Sequence, residues 1–251
     1  MLIPAFNLPS NPAVEIRLQE ATVQVMIDMA DINPAREEAA TTRFLDAISG
    51  ADSRTWTADD RRFALLWYFV HVETDHSYQV RYECGHCGET HQFTFDLKLL
   101  LDGYRDILGK PEAKVTVCGK EVTIVPLDGR AMEALELERI GIEAMEAEHG
   151  VDSVEARKAR LQMRLNELLH RIRFAGVENP DAHLTGMKIA ELRALTDAVA
   201  AAEEKMTHGI ESIYDEGIVY LVSPPHACPK GEETETRCRV RFRTGEFIPK
   251  L

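Results

Sequence analysis

The chain has 251 residues, of which 45% are hydrophobic and 28% are charged, so it can bury a core as one large or two small domains. Its 42 acidic side chains outnumber 29 basic ones and give a net charge of −13 at pH 7. Because that field repels phosphate backbones and anionic lipids, we expect neither nucleic acid nor a membrane as a partner. The first residues carry no basic segment followed by an apolar core, and the longest apolar run, residues 63–72, is too short to span a bilayer. These features predict a soluble, intracellular protein.

The first 50 residues predict a short strand followed by two helical stretches. Apolar residues within 13–31 fit a strand that leads into a helix. Asn33 and Pro34 are typical of a helix start, and the glycine-containing residues 49–53 are typical of its end. We therefore expect a helix from this Asn-Pro pair to about Ile48.

A buried helix is predicted directly afterwards. Thr57 is a suitable N-cap, and Asp59 and Asp60 place carboxylates in the first turn. Residues 63–70 are apolar on almost every side of the helix, so we expect the helix to be deeply buried.

The middle of the chain changes to the two-residue period of strands. Residues 78–82 alternate before Cys84, and residues 93–97 alternate after Cys87. This pattern predicts a β-hairpin whose turn is Cys-Gly-His-Cys.

A short helix and a second hairpin follow. Residues 97–108 fit the helix, and residues 115–117 and 122–124 alternate on either side of Cys118. We interpret Cys118 as a small buried or turn residue.

The composition then shifts to Ala, Glu, Leu and Arg. The shift predicts three long helices, at about residues 129–148, 153–174 and 187–208. Ser153 suits the second N-cap, Gly176 and Pro180 suit its end, and Gly209 suits a left-handed cap of the third helix. Residues 218–222 and 240–242 return to strand period and complete the predicted order.

Five cysteines favour thiol or metal chemistry over a disulfide framework in a chain without an export signal. Cys84 and Cys87 form a Cys-x-x-Cys turn between strands, which presents two thiolates to one point, as zinc requires. A similar turn recurs at Cys228, in Cys-Pro-Lys-Gly, where Gly231 stands in the place of a second cysteine. The sequence therefore predicts a structural Zn²⁺ site that joins two distant turns.

The fourth ligand is less directly indicated. We predict Cys238, with His226 as the alternative and His86 and His91 as further candidates. Cys238 lies roughly 20 Å beyond Gly231 along an extended chain at about 3.3 Å per residue, so the loop has to fold back.

Redox chemistry is the rival interpretation, because Cys-Gly-His-Cys is also the active-site tetrapeptide of protein disulfide isomerases. In the thioredoxin fold the first cysteine opens a helix, and the helix N-terminus lowers its pKa. Here residues 88–96 alternate as a strand. This context disfavours a thiol oxidoreductase.

Other catalytic patterns are absent from the sequence: it holds no glycine-rich phosphate loop after a strand, no nucleophile elbow and no His-Glu-x-x-His pair. The glutamates from Glu133 to Glu148 are interpreted as a solvated helix face. His71 is interpreted as a core or boundary residue. The cations Arg239, Arg241 and Arg243 are interpreted as an edge-strand guard or a contact for an acidic partner. The sequence therefore predicts a protein that is not an enzyme.

The order of these parts resembles one known family. An acidic helical segment precedes an aromatic helix that ends near Tyr68-Phe69. The knuckle Tyr-Glu-Cys-Gly-His-Cys-Gly-Glu and the strand Phe-Thr-Phe-Asp-Leu follow, and the later segments are Met-Thr-His-Gly-Ile-Glu from Met206, Cys-Pro-Lys-Gly and Val-Arg-Phe from Val240. This order is similar to that of the baseplate hub assembly proteins of contractile-tailed bacteriophages, also described as tail assembly chaperones, over residues 63–247.

The resemblance implies a non-enzymatic protein that acts in baseplate hub assembly or as a structural baseplate component, through contacts with other phage tail or baseplate proteins. The implied location is the host cytoplasm during assembly, with the virion tail baseplate as the alternative. The alternative classes are a zinc-ribbon-type binding module in nucleic-acid transactions and, less favoured, the thiol oxidoreductase. The expected fold is α+β, helix-rich, with small zinc-knuckle-like β-hairpins brought together from the middle and the C-terminus. The expected division is a helical segment at 1–75, a hairpin domain at 76–127 and 210–251, and a helical insertion at 128–209.

Overall fold

The structure is a computed structural model that describes residues 2–107, 109–215, 218–231 and 235–248. It is a mixed α+β fold with small antiparallel sheets, as the sequence predicts. Within those ranges, no helix has both the length and the apolar character that crossing a membrane requires.

The helices lie in three groups along the chain. Their bounds are α1 Val23–Asp28, α2 Glu37–Ser49, α3 Ala58–Val72, α4 Lys98–Asp102, α5 Gly129–His149, α6 Val154–Arg171, α7 Pro180–Thr185 and α8 Ile189–Met206. The strands are β1 Phe6–Leu8, β2 Asn11–Ile16, β3 Ser77–Glu83, β4 Thr90–Asp96, β5 Ala113–Val117, β6 Lys120–Ile124, β7 Ile172–Phe174, β8 Ser212–Asp215, β9 Ile218–Val222, β10 His226–Ala227, β11 Glu235–Thr236 and β12 Arg239–Arg241.

The strands form five separate sheets among the described residues. Three are two-stranded hairpins, β1–β2, β3–β4 and β10–β11. The other two have three strands, in the orders β5–β6–β7 and β12–β9–β8. Strand β12 lies at an edge of its sheet, and its residues Arg239 and Arg241 are both exposed beside the buried Val240.

The predicted N-cap of α3 is confirmed as a full capping box. The Asp60 N–H donates to Thr57 Oγ1 at 3.1 Å, and the Thr57 N–H donates to Asp60 Oδ2 at 3.2 Å. Both hydrogen bonds satisfy backbone N–H groups that otherwise have no acceptor at the start of a helix. The apolar side chains behind the cap are buried, as expected from their distribution around the helix.

Two apolar clusters make up the interior. The larger one gathers residues from the N-terminal hairpin, α2, α3, β4, α5 and the segment 210–248. The smaller one lies between the β5–β6–β7 sheet and α8. Helix α6 serves both clusters, because Met163 belongs to the first and Leu165 packs against the second. The predicted division into three parts stays a prediction.

Two predicted helices are shorter than expected. The helix predicted from Asn33 begins at Glu37, because Asn33 instead closes a turn by accepting the N–H of Ala35 at 2.9 Å. The helix predicted over residues 97–108 ends at Asp102, after which Arg105 bridges to Gly209.

The helix predicted over residues 153–174 also ends early. Its cap Ser153 is confirmed, but residues Ile172–Phe174 leave the helix and become β7. Val122 and Ile124 of β6 offer a buried apolar strand edge, and β7 pairs with it in antiparallel register. Pro180 was predicted to end a helix but instead begins α7, where Asn179 is the N-cap.

Glu136 corrects the prediction that the α5 glutamates form a solvated face. Its side chain is only 5% exposed and accepts the Glu38 N–H at 2.7 Å and the Ala39 N–H at 3.4 Å, at the start of α2. The carboxylate thus caps a helix that has no side-chain cap of its own. Burial nevertheless raises the pKa of Glu136 to about 7, against the effect of these two N–H donors.

This pKa shift predicts a pH-dependent stability. The folded chain holds the Glu136 proton more tightly than an unfolded chain with the ordinary pKa of 4.5, so protonation stabilises the fold. The contribution is full below about pH 4.5 and is lost as the pH rises through 7, and it is on the order of 1–3 kcal/mol. We expect Glu136→Gln to flatten the dependence of the free energy of unfolding on pH across this window, measured by urea titration. Glu148→Gln, at an exposed position of the same helix, should leave the slope unchanged, and an unaltered slope in Glu136→Gln would contradict the assignment.

Candidate metal centre

The Cys-Gly-His-Cys turn joins β3 and β4. The two strands pair from Ser77 opposite Asp96 to Glu83 opposite Thr90. Beyond the last pair, the Cys84 N–H donates to Glu89 O at 2.9 Å and the Gly88 N–H donates to Cys84 O at 2.8 Å. Gly88 has φ +69°, a conformation that glycine adopts without strain. The turn thereby places Cys84 and Cys87 on one side of the hairpin end.

The second turn comes from the C-terminal part of the chain. After β10, Cys228 begins a tight turn in which the Gly231 N–H donates to Cys228 O at 3.0 Å. Cys228 is 3% exposed, and its Sγ lies 3.4 Å from that of Cys84. A Cβ atom on Gly231 would lie 3.4 Å from the Cys228 Sγ, so the position without the second cysteine is also beside the cluster.

Four side chains converge between the two turns. The ligand atoms of Cys84, Cys87, His91 and Cys228 all lie within 4.8 Å of one another. Within this group, Cys87 Sγ is 3.0 Å from His91 Nε2. Tetrahedral zinc with bonds of about 2.3 Å to sulfur separates two thiolates by about 3.8 Å, so small side-chain adjustments suffice for one ion to touch all four atoms. The three thiols and one imidazole form a candidate metal site.

His91 holds the position predicted for Cys238. It is the second residue of β4, and strand alternation places it on the same face as Phe93 and Phe95, towards the interior. That face continues to the end of the hairpin, where the cysteines lie. The sequence named His91 only as a further candidate, although the same alternation was visible there.

Cys238 lies near the cluster but in a different role. Its N–H donates to Ser223 Oγ at 2.8 Å, and its carbonyl accepts the Ser223 N–H at 3.0 Å. Its Sγ lies 3.6 Å from His226 Nε2. Cys238 and His226 therefore pair with each other and do not belong to the group of four.

His226 is held by aromatic rings. It stacks on Phe93 with ring centroids 3.8 Å apart and an interplanar angle of 13°, and the Tyr82 ring meets it edge-on at 5.1 Å. Its Nδ1 donates to Pro224 O at 3.3 Å, so Nε2 can accept the Cys238 S–H. His226 thus packs the C-terminal turn onto the β3–β4 hairpin next to the cluster.

The backbone around the turn acts on the thiols. The N–H groups of Cys87 and His86 point at the Cys84 sulfur and lower the pKa of Cys84, despite its burial. The Glu89 N–H favours the Cys87 thiolate, but burial and the thiols of Cys228 and Cys84 outweigh it and raise the pKa of Cys87. Thiolates this close together repel one another, and a divalent cation between them offsets that repulsion.

His71 and Cys118, which the sequence also singled out, lie outside the group of four. The Nδ1 atom of His71 lies 2.7 Å from Trp67 O, one turn back along α3, and the two rings are 4.4 Å apart. Cys118 is an exposed turn residue with φ +50°. Strand β4, and not a helix, follows the Cys-x-x-Cys turn, so Cys84 does not lie at the start of a helix.

Comparison of the chain with models of known protein families, with curated proteins and with solved structures finds no match.

The geometry predicts which substitutions abolish metal binding. His91→Gln and Cys228→Ser each remove one of the four converging donors, so bound metal should fall well below one ion per chain. Cys238→Ser is the matched control for Cys228→Ser, since both replace a buried cysteine of the same segment, and it should keep the full metal content. The measurement is metal analysis of protein purified without chelator. Metal loss in Cys238→Ser with retention in His91→Gln would restore the ligand set predicted from the sequence.

Proposed function

We propose that this chain is a non-enzymatic assembly protein that acts in building a phage tail baseplate. We further propose that a structural zinc ion binds its C-terminal turn to the β3–β4 hairpin. The observation that carries the zinc proposal is the convergence of Cys84, Cys87, His91 and Cys228. The baseplate role is supported by the resemblance in the order of parts.

Zinc fits the donors better than other common divalent ions. Three thiolates and one imidazole suit zinc, whereas magnesium, calcium and manganese prefer oxygen ligands. Four protein donors complete a tetrahedral shell and leave no position for a reacting water or substrate, which is the arrangement of structural zinc sites. The ion would therefore contribute to folding and not to catalysis.

A metal here would close a very long loop. Cys84 and Cys228 are 144 positions apart in the chain. A cross-link of this span removes many conformations of the unfolded chain, and the binding free energy of the ion adds to the stability of the folded state.

The described surface suits protein contacts. The exposed faces of α5 to α8 carry many charged side chains, and the two-stranded β3–β4 sheet leaves one edge of each strand unpaired by another strand. Such edges can accept a strand from a partner. The net charge of −13 favours protein partners over nucleic acid.

The zinc proposal predicts a chelator-sensitive fold. We expect one zinc per chain, and EDTA should lower the melting temperature by roughly 10 °C. Readdition of zinc should restore it. Absence of zinc together with an unchanged melting temperature in EDTA would refute the structural role.

The assembly proposal predicts a stable complex on co-expression with phage tail baseplate proteins. We expect a stoichiometric complex by size-exclusion chromatography, and Cys228→Ser should weaken it because the C-terminal turn is released. Cys118→Ser, at an exposed turn far from the cluster in sequence, is the control and should bind normally. Failure to form any complex, combined with salt-sensitive retention on DNA, would instead support the zinc-ribbon alternative.

A further inference from the structure

Helix α5 carries apolar side chains on two opposite sides. The inner side, which includes Met132, Leu135 and Ile142, is buried in the larger apolar cluster. On the other side Leu137 is 49% exposed and Met145 is 40% exposed. A surface helix normally carries polar side chains opposite its buried stripe. The outward side of α5 therefore presents apolar surface that the described part of the chain leaves in contact with water.

The residues along this outward side follow the seven-residue repeat of coiled coils. Positions 130, 134, 137, 141, 144 and 148 are spaced alternately by four and three residues, so they lie in one line along the helix. Each of them is exposed or half-buried, and together they form what we call the outer stripe of α5: Arg130, Ala134, Leu137, Gly141, Ala144 and Glu148. A line with this spacing is the geometry with which one helix packs along another.

Gly141 is the member of the outer stripe that its own chain does not explain. It lies inside α5, where glycine destabilises a helix relative to alanine. It is not among the glycines with a positive φ, so the backbone does not require it. A Cβ atom there would meet nothing within 4 Å outside its own helix backbone, so intrachain packing does not require it either. A glycine at such a position is expected where another backbone approaches closely.

The outer stripe is complementary in shape to itself when a second copy of α5 lies antiparallel to the first. A two-fold axis beside Arg139 places Leu137 opposite Gly141 of the second copy. The same axis places Ala134 opposite Ala144. The leucine then fills the open space above the glycine, and the two alanines let the helix axes come close. A parallel pair in the same register would place leucine against leucine and leave the space at the glycine empty.

The charges at the two ends of the outer stripe select the same orientation. Arg130 and Glu148 have exposed side chains, and the antiparallel pair brings each of them next to the other. A parallel pair would bring each charge next to its own copy, where like charges repel. Within the chain, Arg130 lies 3.2 Å from Asp52 and Glu148 lies 3.7 Å from His149. Exposed ion pairs of this kind are weak, so both side chains can exchange partners.

We propose that this chain forms an antiparallel homodimer through the outer stripe of α5. The stripe spans about 27 Å from Arg130 to Glu148, at about 1.5 Å per residue. One helix pair buries less than the roughly 800 Å² per partner of a standard interface, so the dimer is reversible. The inference uses neither the zinc site nor the baseplate role.

The first test is sedimentation equilibrium of the full chain, purified without chelator, at concentrations from about 10 μM to about 1 mM. We expect the average mass to rise with concentration from that of one chain towards that of two. A chain that stays monomeric throughout overturns the proposal and leaves the outer stripe to a different partner.

Gly141→Gln separates dimer formation from folding. Glutamine is the better helix former and meets no neighbour within the chain, so the melting temperature at low concentration should rise by about 2 °C. Its side chain occupies the space that the partner's leucine needs, so the dissociation constant of the dimer should rise at least tenfold. Ala201→Gln enlarges an exposed side chain of α8 and is the control, with no effect on the dimer. Equal dimer formation by Gly141→Gln and the native chain would contradict the proposal.

Cysteine cross-linking tests the orientation. Both partners carry Cys118→Ser, which removes the exposed native cysteine. Chains with Ala134→Cys are mixed with chains with Ala144→Cys, and we expect disulfide-linked dimers in the mixture but not in either variant alone. In the antiparallel pair, like positions lie about 15 Å apart along the helix, beyond the reach of a disulfide. Efficient cross-linking of Ala134→Cys with itself would indicate a parallel pair and refute the arrangement.

A charge exchange tests the ends of the stripe. Arg130→Glu places two carboxylates side by side, so it should weaken the dimer severalfold. Adding Glu148→Arg restores the pair with its signs exchanged and should recover the native dissociation constant. If the double variant dimerises no better than Arg130→Glu alone, the predicted register is wrong.

Discussion

The first turn of α3 is the constraint on which the rest of the fold depends, because three distant segments are bonded to it. Asp60 accepts hydrogen bonds from Ser10 and from Thr57, and Thr57 in turn donates to His208. Next to them, the buried Arg61 donates to Glu38 O at 2.8 Å and to Thr42 Oγ1 at 2.9 Å. Buried polar groups tolerate few alternative arrangements, since every misplaced partner leaves a desolvated charge or donor. The first turn of α3 therefore does more than start a helix, because its capping box and Arg61 together set the positions of the N-terminal hairpin, α2 and the segment after α8.

The cluster of Cys84, Cys87, His91 and Cys228 connects the C-terminal part of the chain to the β3–β4 hairpin. Strands β10 and β11 pair over only two residues each, and so short a hairpin is not stable by itself. The contacts that hold it on the β3–β4 hairpin include the stacking of His226 on Phe93 and the approach of Cys228 to Cys84. Both involve side chains at the turn, so an ion bound there would act where backbone pairing is weakest.

Local signals in the sequence predicted the elements that depend on local physics. The Thr57 cap, the hairpin around Cys84 and Cys87 and the mixed α+β class were all predicted from spacing and residue type. Residues 172–174 were missed because Ile172 continues the apolar stripe of α6, and only the edge of β6 decides that they pair as a strand. Three of the four predicted metal ligands converge, together with His91 instead of Cys238. Strand alternation in β4 was a signal for His91, whereas spacing could not reveal the hydrogen bonds between Ser223 and Cys238. The baseplate role and the domain division stay predictions.

The four donors of the cluster converge on one point between two turns that lie 144 positions apart in the chain. Such a donor set leaves no position for an exchangeable ligand, so an ion bound there would suit a structural task. The two turns come from hairpins of unequal length, because β3 and β4 pair over seven residues each and β10 and β11 over two. An ion between them would fix the shorter hairpin to the longer one, which is the physical reason to propose that the cluster contributes to stability.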